Sequence, residues 1–538
     1  MDISDWIPKT FHCLRNYSLS LFKKDLLAGV TVGVIALPLA MAFAIASGAS
    51  PERGLFTAII AGFLISALGG SRVQIGGPTG AFVVLIYSII SRTGYGGLCT
   101  STLIAALLLV LLGLFRVGSW IKYVPHSVVI GFTTGIACLI FSTQIKDLLG
   151  LQMDSLPVSF IDKWSAYFSY FSTALPTTAL LSLGTLGVIF LLRRFFPKAP
   201  WGICAIVLAT LLAFFLHLPV ETIQSRFGSI PSTLPWPSLP DLSIPSGMWG
   251  EVIQNGIAIA FLGGIESLLS AVIGDNMSGA RHRPNCELVA QGVANFFSIL
   301  FGGIPATGAI ARTAANIRTG AQTPMAGMIH AAVLLLILLF LSPLVVHIPL
   351  AALAAVLVMI SWNMSELPHF FRILKSPFAD RIVLVITFLL TVLVDITVAI
   401  FAGMILSSFL FMKQMSNLSK VPHLKEDQEK LPPHVEVYEM EGPLFFGASH
   451  LFKDLFVNRT SYPTVCILRL HSMSYIDASG LFALEEFYKE CQKKKIHLFL
   501  SGVCQKKRES LGHVIASLGE KHIFADMSSA LQEASRKT

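Results

Sequence analysis

Apolar runs of about twenty residues follow one another between positions 26 and 412, with only short polar breaks. One such run can hide in a soluble core, but a long series cannot, because single cores stop growing at a few hundred residues. In lipid, backbone groups must be satisfied inside helices or closed barrels. The chain is therefore read as a polytopic α-helical membrane protein. Its composition agrees: 54% of residues are hydrophobic and 13% charged. A window of about nineteen residues separates about fourteen segments, several of them short.

The net charge of +8 has a simple source. Basic residues gather in alternate loops, at Arg72, at Arg116 and Lys122, at Arg193, Arg194 and Lys198, at Arg281 and Arg283, at Arg318, and at Arg372, Lys375 and Arg381. The intervening loops hold only Arg53, Arg92, Lys146, Lys163 and Arg226. The positive-inside rule makes the first set cytoplasmic and puts both termini inside an inner membrane. No nucleic-acid partner is needed to explain the charge. Residues 1–24 form a cytoplasmic segment without a cleavage site after a short apolar core, so no removable signal peptide is expected.

The eight cysteines include no C-x-x-C pair, and Cys138 and Cys204 sit in apolar runs as small hydrophobes. His217, His330 and His347 stand alone, without partners at metal-ligand spacing. No G-x-x-x-x-G-K-[ST] loop is present to drive a nucleotide pump. Neither metal nor organic cofactor is expected.

Two spans are broken in similar words: "IGGPTGAFVVLIYSII" at 75–90 and "GGIPATGAIARTAANI" at 302–317. Allowing two inserted residues, Gly76 to Ala81 aligns with Gly302 to Ala309, which pairs Thr79, Gly80 and Ala81 with Thr307, Gly308 and Ala309. Each break follows two apolar segments, with Asp25 before the first pair and Glu251 before the second. The chain thus reads as two halves of about seven segments, and an odd number inverts the second half. Helices that begin at mid-membrane present unpaired N–H groups and positive dipole ends. Two such ends face to face make an anion pocket, with proline suited to the first turn and glycine to close approach.

Charged residues inside the spans are few. Arg312, in the second broken stretch, costs about 2.5–3.5 kcal/mol to insert and is read as attracting the anion. Glu266 lies in the middle of "IAIAFLGGIESLLSAVIGDN", with Ser270 one turn later on the same face. A nearby anion would favour a protonated Glu266, so anion and proton would bind cooperatively. Such coupling offsets about 2.3 kcal/mol per charge per 100 mV against an entering anion. Asp395 falls in the turn between the last two segments, a structural position.

After position 415 the chain turns polar. Residues 416–433 read as a linker and 434–538 as a small α/β domain, with strands in "HVEVYEM", "TVCILRL" and "IHLFLSG". A helix follows from Leu481, Leu484, Phe487 and Tyr488 on one face.

On "LPLAMAFAIASGASPERGLFTAIIAG", "GGPTGA", "GGIESLLSA", "DNMSGARH" and "GGIPATGAIARTAANIRTGA", nearly the whole chain resembles the SulP anion transporters, related to the animal family of prestin and pendrin. The resemblance implies a seven-plus-seven inverted repeat over residues 25–415, in which a core domain moves against a gate domain like an elevator, and a homodimer in the lipid. It places the anion between the two half-helices and the first segment, implicating Thr79, Gly80, Ala81, Thr307, Gly308, Ala309 and Phe43. It makes Glu266 the site of a coupling H⁺ or Na⁺. Many members carry Gln where this chain has Leu39, which leaves the substrate open. The tail resembles a STAS domain through "YIDASGLFALEEF". There Ser479 matches a regulatory phosphorylation position just before a helix, although capping that helix is the preferred role.

The expected function is secondary active import of a small anion, coupled to protons, with sulfate favoured by the resemblance and a C4-dicarboxylate open. The alternatives are Na⁺-coupled bicarbonate uptake, an uncoupled anion channel, or a receptor whose tail is the output. No nucleophile–base constellation points to an enzyme.

Overall fold

The computed structural model describes residues 6–15, 17–153, 156–196, 200–240, 242, 244, 247–423, 431–432, 434–456 and 461–537. Lys198 and part of the expected linker (424–430 and 433) lie outside the described residues. The chain forms two compact units, Met1–Met404 and Ile405–Thr538.

The first unit opens with α1 (Lys9–Leu14), α2 (Leu19–Ala46), α3 (Pro51–Leu68), a two-residue strand β1 (Gly76–Gly77) and α4 (Gly80–Leu114). There follow α5 (His126–Leu149), α6 (Phe160–Ser169), α7 (Pro176–Phe195), α8 (Trp201–Phe215) and the short α9 (Ile223–Phe227). The second half holds α10 (Trp249–Ser278), α11 (Pro284–Leu300), β2 (Thr307–Gly308), α12 (Ile310–Arg318) and α13 (Met325–Val345). It ends with α14 (Leu350–Met364), α15 (Leu367–Ile373), α16 (Phe378–Leu393) and the start of α17 (Ile396–Leu418), which runs on past Met404. Among the described residues nine helices are long and apolar enough to cross a membrane. Leu180, Leu183, Phe190, Val207, Phe214 and Phe215 stand exposed on α7 and α8, which lipid tolerates and water would not.

α4 contains 35 residues, about 52 Å if straight, against a hydrocarbon core of about 30 Å. It bends at Gly94, whose φ of 72° leaves the helical region, and so carries two of the segments seen in the sequence. Small residues let other helices meet backbone to backbone. A Cβ on Gly54 would stand 2.0 Å from the Ala40 carbonyl oxygen, and one on Gly29 2.5 Å from that of Ala326.

Packing carries the inverted repeat. The latter part of α4 lies against α10 and α11, while its counterpart α13 lies against α2 and α3, so each half's fourth segment packs on the other half's first two. A second bundle obeys the same exchange, with α5 on α16 and α7 on α14. The paired acids are not equivalent, however. Asp25 is buried and accepts from Gln322 N (2.8 Å), Thr323 N (3.2 Å) and Thr323 Oγ1 (2.5 Å), tying α2 to the turn before α13. Glu251 pairs with exposed Arg92 at 3.2 Å. Asp395 sits between α16 and α17, and its carbonyl accepts Ala399 N.

The second unit is built on β3 (Val435–Glu439), β4 (Gly442–Leu444), β5 (Val465–Arg469), β6 (Met473–Ile476), α18 (Ala478–Lys493), β7 (His497–Ser501), α19 (Gln505–Ser510), α20 (Gly512–Leu518) and α21 (Met527–Lys537). β3, β5 and β7 form a parallel sheet in the order β3-β5-β7, with Val435 opposite Val465 and Val465 opposite His497. Strand alternation sorts its two faces. Cys466, Leu468, Leu498 and Leu500 pack with Leu484 and Phe487 of α18, whereas Val435, Val437, Val465, Ile467 and Phe499 pack with Ala530 and Ala534 of α21. The three expected strands are present; β4 and β6, too short for a period to show, pair separately. The expected linker is shorter than its composition implies, because α17 runs to Leu418 and Lys420 and His423 bridge to Glu441 and Tyr438.

Candidate functional site

The two broken stretches cross. β1 and β2 pair antiparallel, Gly76 with Gly308 and Gly77 with Thr307, and Ala309 N donates to the Ile75 carbonyl at 2.8 Å. This geometry corrects the alignment of like letters. Thr79 is the N-cap of α4 and Ala309 that of α12, so Thr79 corresponds to Ala309, whereas Thr307 and Gly308 belong to the strand. The prolines are also displaced from the expected first turn: Pro78 and Pro305 both precede the helices, in the extended lead-ins.

Buried polar side chains hold these irregular segments, as backbone at membrane depth requires. Asn295 clamps Ala306, donating to its carbonyl at 2.9 Å and accepting its N–H at 2.8 Å. Thr57 Oγ1 accepts Ile304 N at 2.7 Å, and Ser298 donates to the Ile304 carbonyl at 2.8 Å. Asn316 donates to the Val73 carbonyl at 2.9 Å. Gln74 donates to Ser267 Oγ at 3.0 Å and to the Ser267 carbonyl at 3.2 Å. Sequence reasoning missed all of these. The signal was there, since amides inside apolar spans are rare without a backbone group to satisfy.

Neither half-helix has a side-chain cap. Ala309 has no side chain able to cap, and the Thr79 hydroxyl turns away to donate to Glu266 Oε2 at 3.1 Å. Among the described residues, the first-turn N–H groups at Gly80 and Ala81 and at Ile310 and Ala311 therefore lack the partner a helix start normally finds. Arg312, buried in the first turn of α12, crosses to the other stretch and donates through Nη2 to the Pro78 carbonyl. A Cβ on Gly77 would stand 2.7 Å from Arg312 Nη1, so the glycine makes room for the guanidinium. Among the described residues that Nη1, itself buried, has no hydrogen-bond partner. Glu266, partly exposed between buried neighbours on α10, is close enough to Arg312 for direct electrostatic attraction.

The remaining residues fall as follows. Ser270 is buried and pairs with Thr313 Oγ1 at 3.1 Å, which also accepts Ile75 N, so its hydroxyl braces β1 against α12 rather than joining Glu266. Thr307 donates to the Gly263 carbonyl at 2.8 Å. Phe43 is buried near the end of α2, a helix that packs on α4. Gly80 faces the second bundle: a Cβ there would stand 2.8 Å from Met364 Sδ and 3.1 Å from Ile140 Cδ1. These two walls gave no sequence signal, being ordinary apolar residues of α14 and α5. Ser479 lies exposed in the first turn of α18, and the cap is Asp477, which accepts Gly480 N at 2.8 Å. The preferred capping role for Ser479 is thereby corrected.

Crossed half-helices, exchanged packing and a buried guanidinium at the crossing, with one nitrogen unbonded among the described residues, define a multi-pass membrane transporter of anions built on an inverted repeat. The chain belongs to the sulfate permease family, whose profile matches residues 22–387, and a STAS domain profile matches residues 429–534. It is 39% identical over 518 residues to a putative sulfate transporter, YvdB, of Bacillus subtilis, covering 95% of this chain and 97% of that protein. The transmembrane domain of a cyanobacterial bicarbonate transporter, BicA, is 30% identical, with a TM-score of 0.63 over 73% of this chain and 98% of that one. The murine anion transporter Slc26a9 shares the fold, with a TM-score of 0.87 at 17% identity over 99% of this chain and 94% of that one. Members of the family are transporters and not enzymes.

Proposed function

We propose that the protein is a secondary active importer of a small oxyanion, of the sulfate class, coupled to protons at Glu266. The observation that carries this reading is the Arg312 Nη1 group, buried without an acceptor beside two uncapped helix starts. A buried donor of that kind calls for a partner, and an oxyanion bridging both starts would supply it. Thr79 links the pocket to coupling, because its hydroxyl joins the N-cap of α4 to Glu266. An anion bound at Gly80, Ala81 and Ala309 would sit close to that carboxyl and favour its protonated form. Phe43 would close the pocket from α2, with Thr307 and Gly308 holding the strand behind it.

In this reading the bundle of α2–α4 and α10–α13 moves against the bundle of α5, α7, α14 and α16 and carries the site across the inner membrane, with both termini cytoplasmic and two copies forming a dimer. Likeness to the cyanobacterial bicarbonate transporter supports a second reading, Na⁺-coupled bicarbonate uptake through the same pocket. An uncoupled anion channel is the third.

Uptake of labelled sulfate, bicarbonate and fumarate into proteoliposomes tests these readings, under a proton gradient, a sodium gradient or neither, with wild type and Glu266→Gln. Proton-stimulated sulfate uptake, lost in the variant, is the expected result. Stimulation of bicarbonate by sodium selects the second reading. Uptake indifferent to both gradients removes the coupling role.

A further inference from the structure

A cavity of about 500 Å³ lies at the far end of α12 from the crossing, roughly 12 Å along the helix from its first turn. His12 and Cys13 of α1, Arg72 from the loop before β1, Ser278 at the end of α10, and Gln322 and Thr323 line it. Lys9 lies one helical turn before His12 and Cys13 on the same side of α1, and its amine is pushed below the ordinary lysine range by partial burial and by the charges of Arg283 and Arg72. Burial raises the Cys13 thiol in turn.

The neighbouring acids are committed elsewhere. Asp25 accepts from Tyr17, Gln322 and Thr323, Asp275 pairs with His282 at 2.7 Å, and Glu287 accepts Gly70 N and Ser71 N. Among the described residues Lys9, Arg72 and Arg283 form no ion pair. Residues 6–25, 70–73, 275–287 and 317–323 together hold eight lysines and arginines against three acids. The C-termini of α10 and α12 end here and bring about half a negative charge each, which does not cancel that excess. Topology alone asks only that such cations stand in water on the cytoplasmic side. Arg72 instead lines, half-buried, a cavity of small-molecule size, and half-buried Lys9 stands one turn of α1 from the lining residues His12 and Cys13.

We propose that this cavity is a second anion site, binding a phosphate-bearing group: the headgroup phosphate of an anionic phospholipid, or a soluble phosphate or pyrophosphate. Phe11 and Leu14 of α1 and Leu19 and Phe22 of α2 stand exposed on the elements that shape the site, which favours the lipid source. The proposal does not rest on the identity of the transported anion.

The test uses the full chain in nanodiscs of phosphatidylcholine, with or without phosphatidylglycerol, and in phosphatidylcholine discs given inorganic phosphate or pyrophosphate. Thermal midpoint and lipid retained in native mass spectrometry are the readouts. Phosphatidylglycerol should raise the wild-type midpoint and stay bound. Lys9→Gln and Arg72→Gln should each weaken that binding about five-fold, with Arg72→Lys restoring it. If the soluble anions alone give the shift, the site stands and its ligand is soluble. Lys9→Gln alters only a short peripheral helix, so it reads the site even if Arg72→Gln fails to fold. The proposal is overturned if neither source shifts the wild type. It is equally overturned if exposed Lys24→Gln weakens binding as much as Lys9→Gln, since the effect then belongs to the surface charge.

Discussion

Gly308 is the position where one added methyl should do most damage. A Cβ there would stand 1.7 Å from Gln74 Nε2 and 2.8 Å from its Cδ, with the Ser267 Cα behind at 3.2 Å. Gln74 is buried, and moving its amide aside gives up both bonds to Ser267. Two hydrogen bonds at about 0.5–1.5 kcal/mol each, plus about 1–3 kcal/mol of overpacking, put Gly308→Ala at about 2–6 kcal/mol. Whole domains hold only about 5–15 kcal/mol. Gln74→Ala alone should cost the hydrogen bonds and a small cavity. The double variant Gly308→Ala/Gln74→Ala should then be close to Gln74→Ala, because the new methyl moves into space the amide has left. The expected coupling is then the whole Gly308→Ala cost, about 2–6 kcal/mol, read from denaturation midpoints of the purified protein, with uptake rising from Gly308→Ala to the double variant. Additive effects, or a Gly308→Ala variant that melts and transports like wild type, would refute the claim that Gln74 sets the β1–β2 crossing.

Other consequences are as specific. Thr79→Val leaves Glu266 without its 3.1 Å donor and should lower uptake about ten- to a hundred-fold, whereas Thr79→Ser should retain most of it. Lys163, 2% exposed on α6 between two spans, is pushed down to about 8 by burial. Its folded pKa lies below its unfolded value, so folding is opposed most fully below pH 8 and the penalty fades as pH climbs toward 10.5. The thermal midpoint should therefore rise between pH 8 and 10, by an amount equivalent to about 2 kcal/mol, and Lys163→Met should flatten that rise. Asp477→Ala should cost about 1 kcal/mol and speed hydrogen exchange in the first turn of α18, while Ser479→Asp should slow it through the helix dipole.

Much of this molecule is legible before any coordinates. Apolar runs dictate spanning helices because lipid admits little else, and the glycine–proline breaks at 75–90 and 302–317 mark where two of them stop. Arg312 and Glu266 draw notice because charge in a span is costly. The period-two strands and the apolar face of α18 declare the tail.

What tertiary structure alone decided is which of these groups meet. Like letters put Thr79 opposite Thr307, yet the ladder pairs Gly77 with Thr307, and the helix starts make Ala309 the counterpart of Thr79. Register between distant strands depends on contacts more than two hundred residues apart, which no local pattern records. The Pro78 carbonyl under Arg312, the turn of Ser270 toward Thr313, and the Met364 and Ile140 walls over Gly80 are of the same kind. A sequence states which groups need partners, because burial cost belongs to each residue; only the packed chain brings the partners within reach.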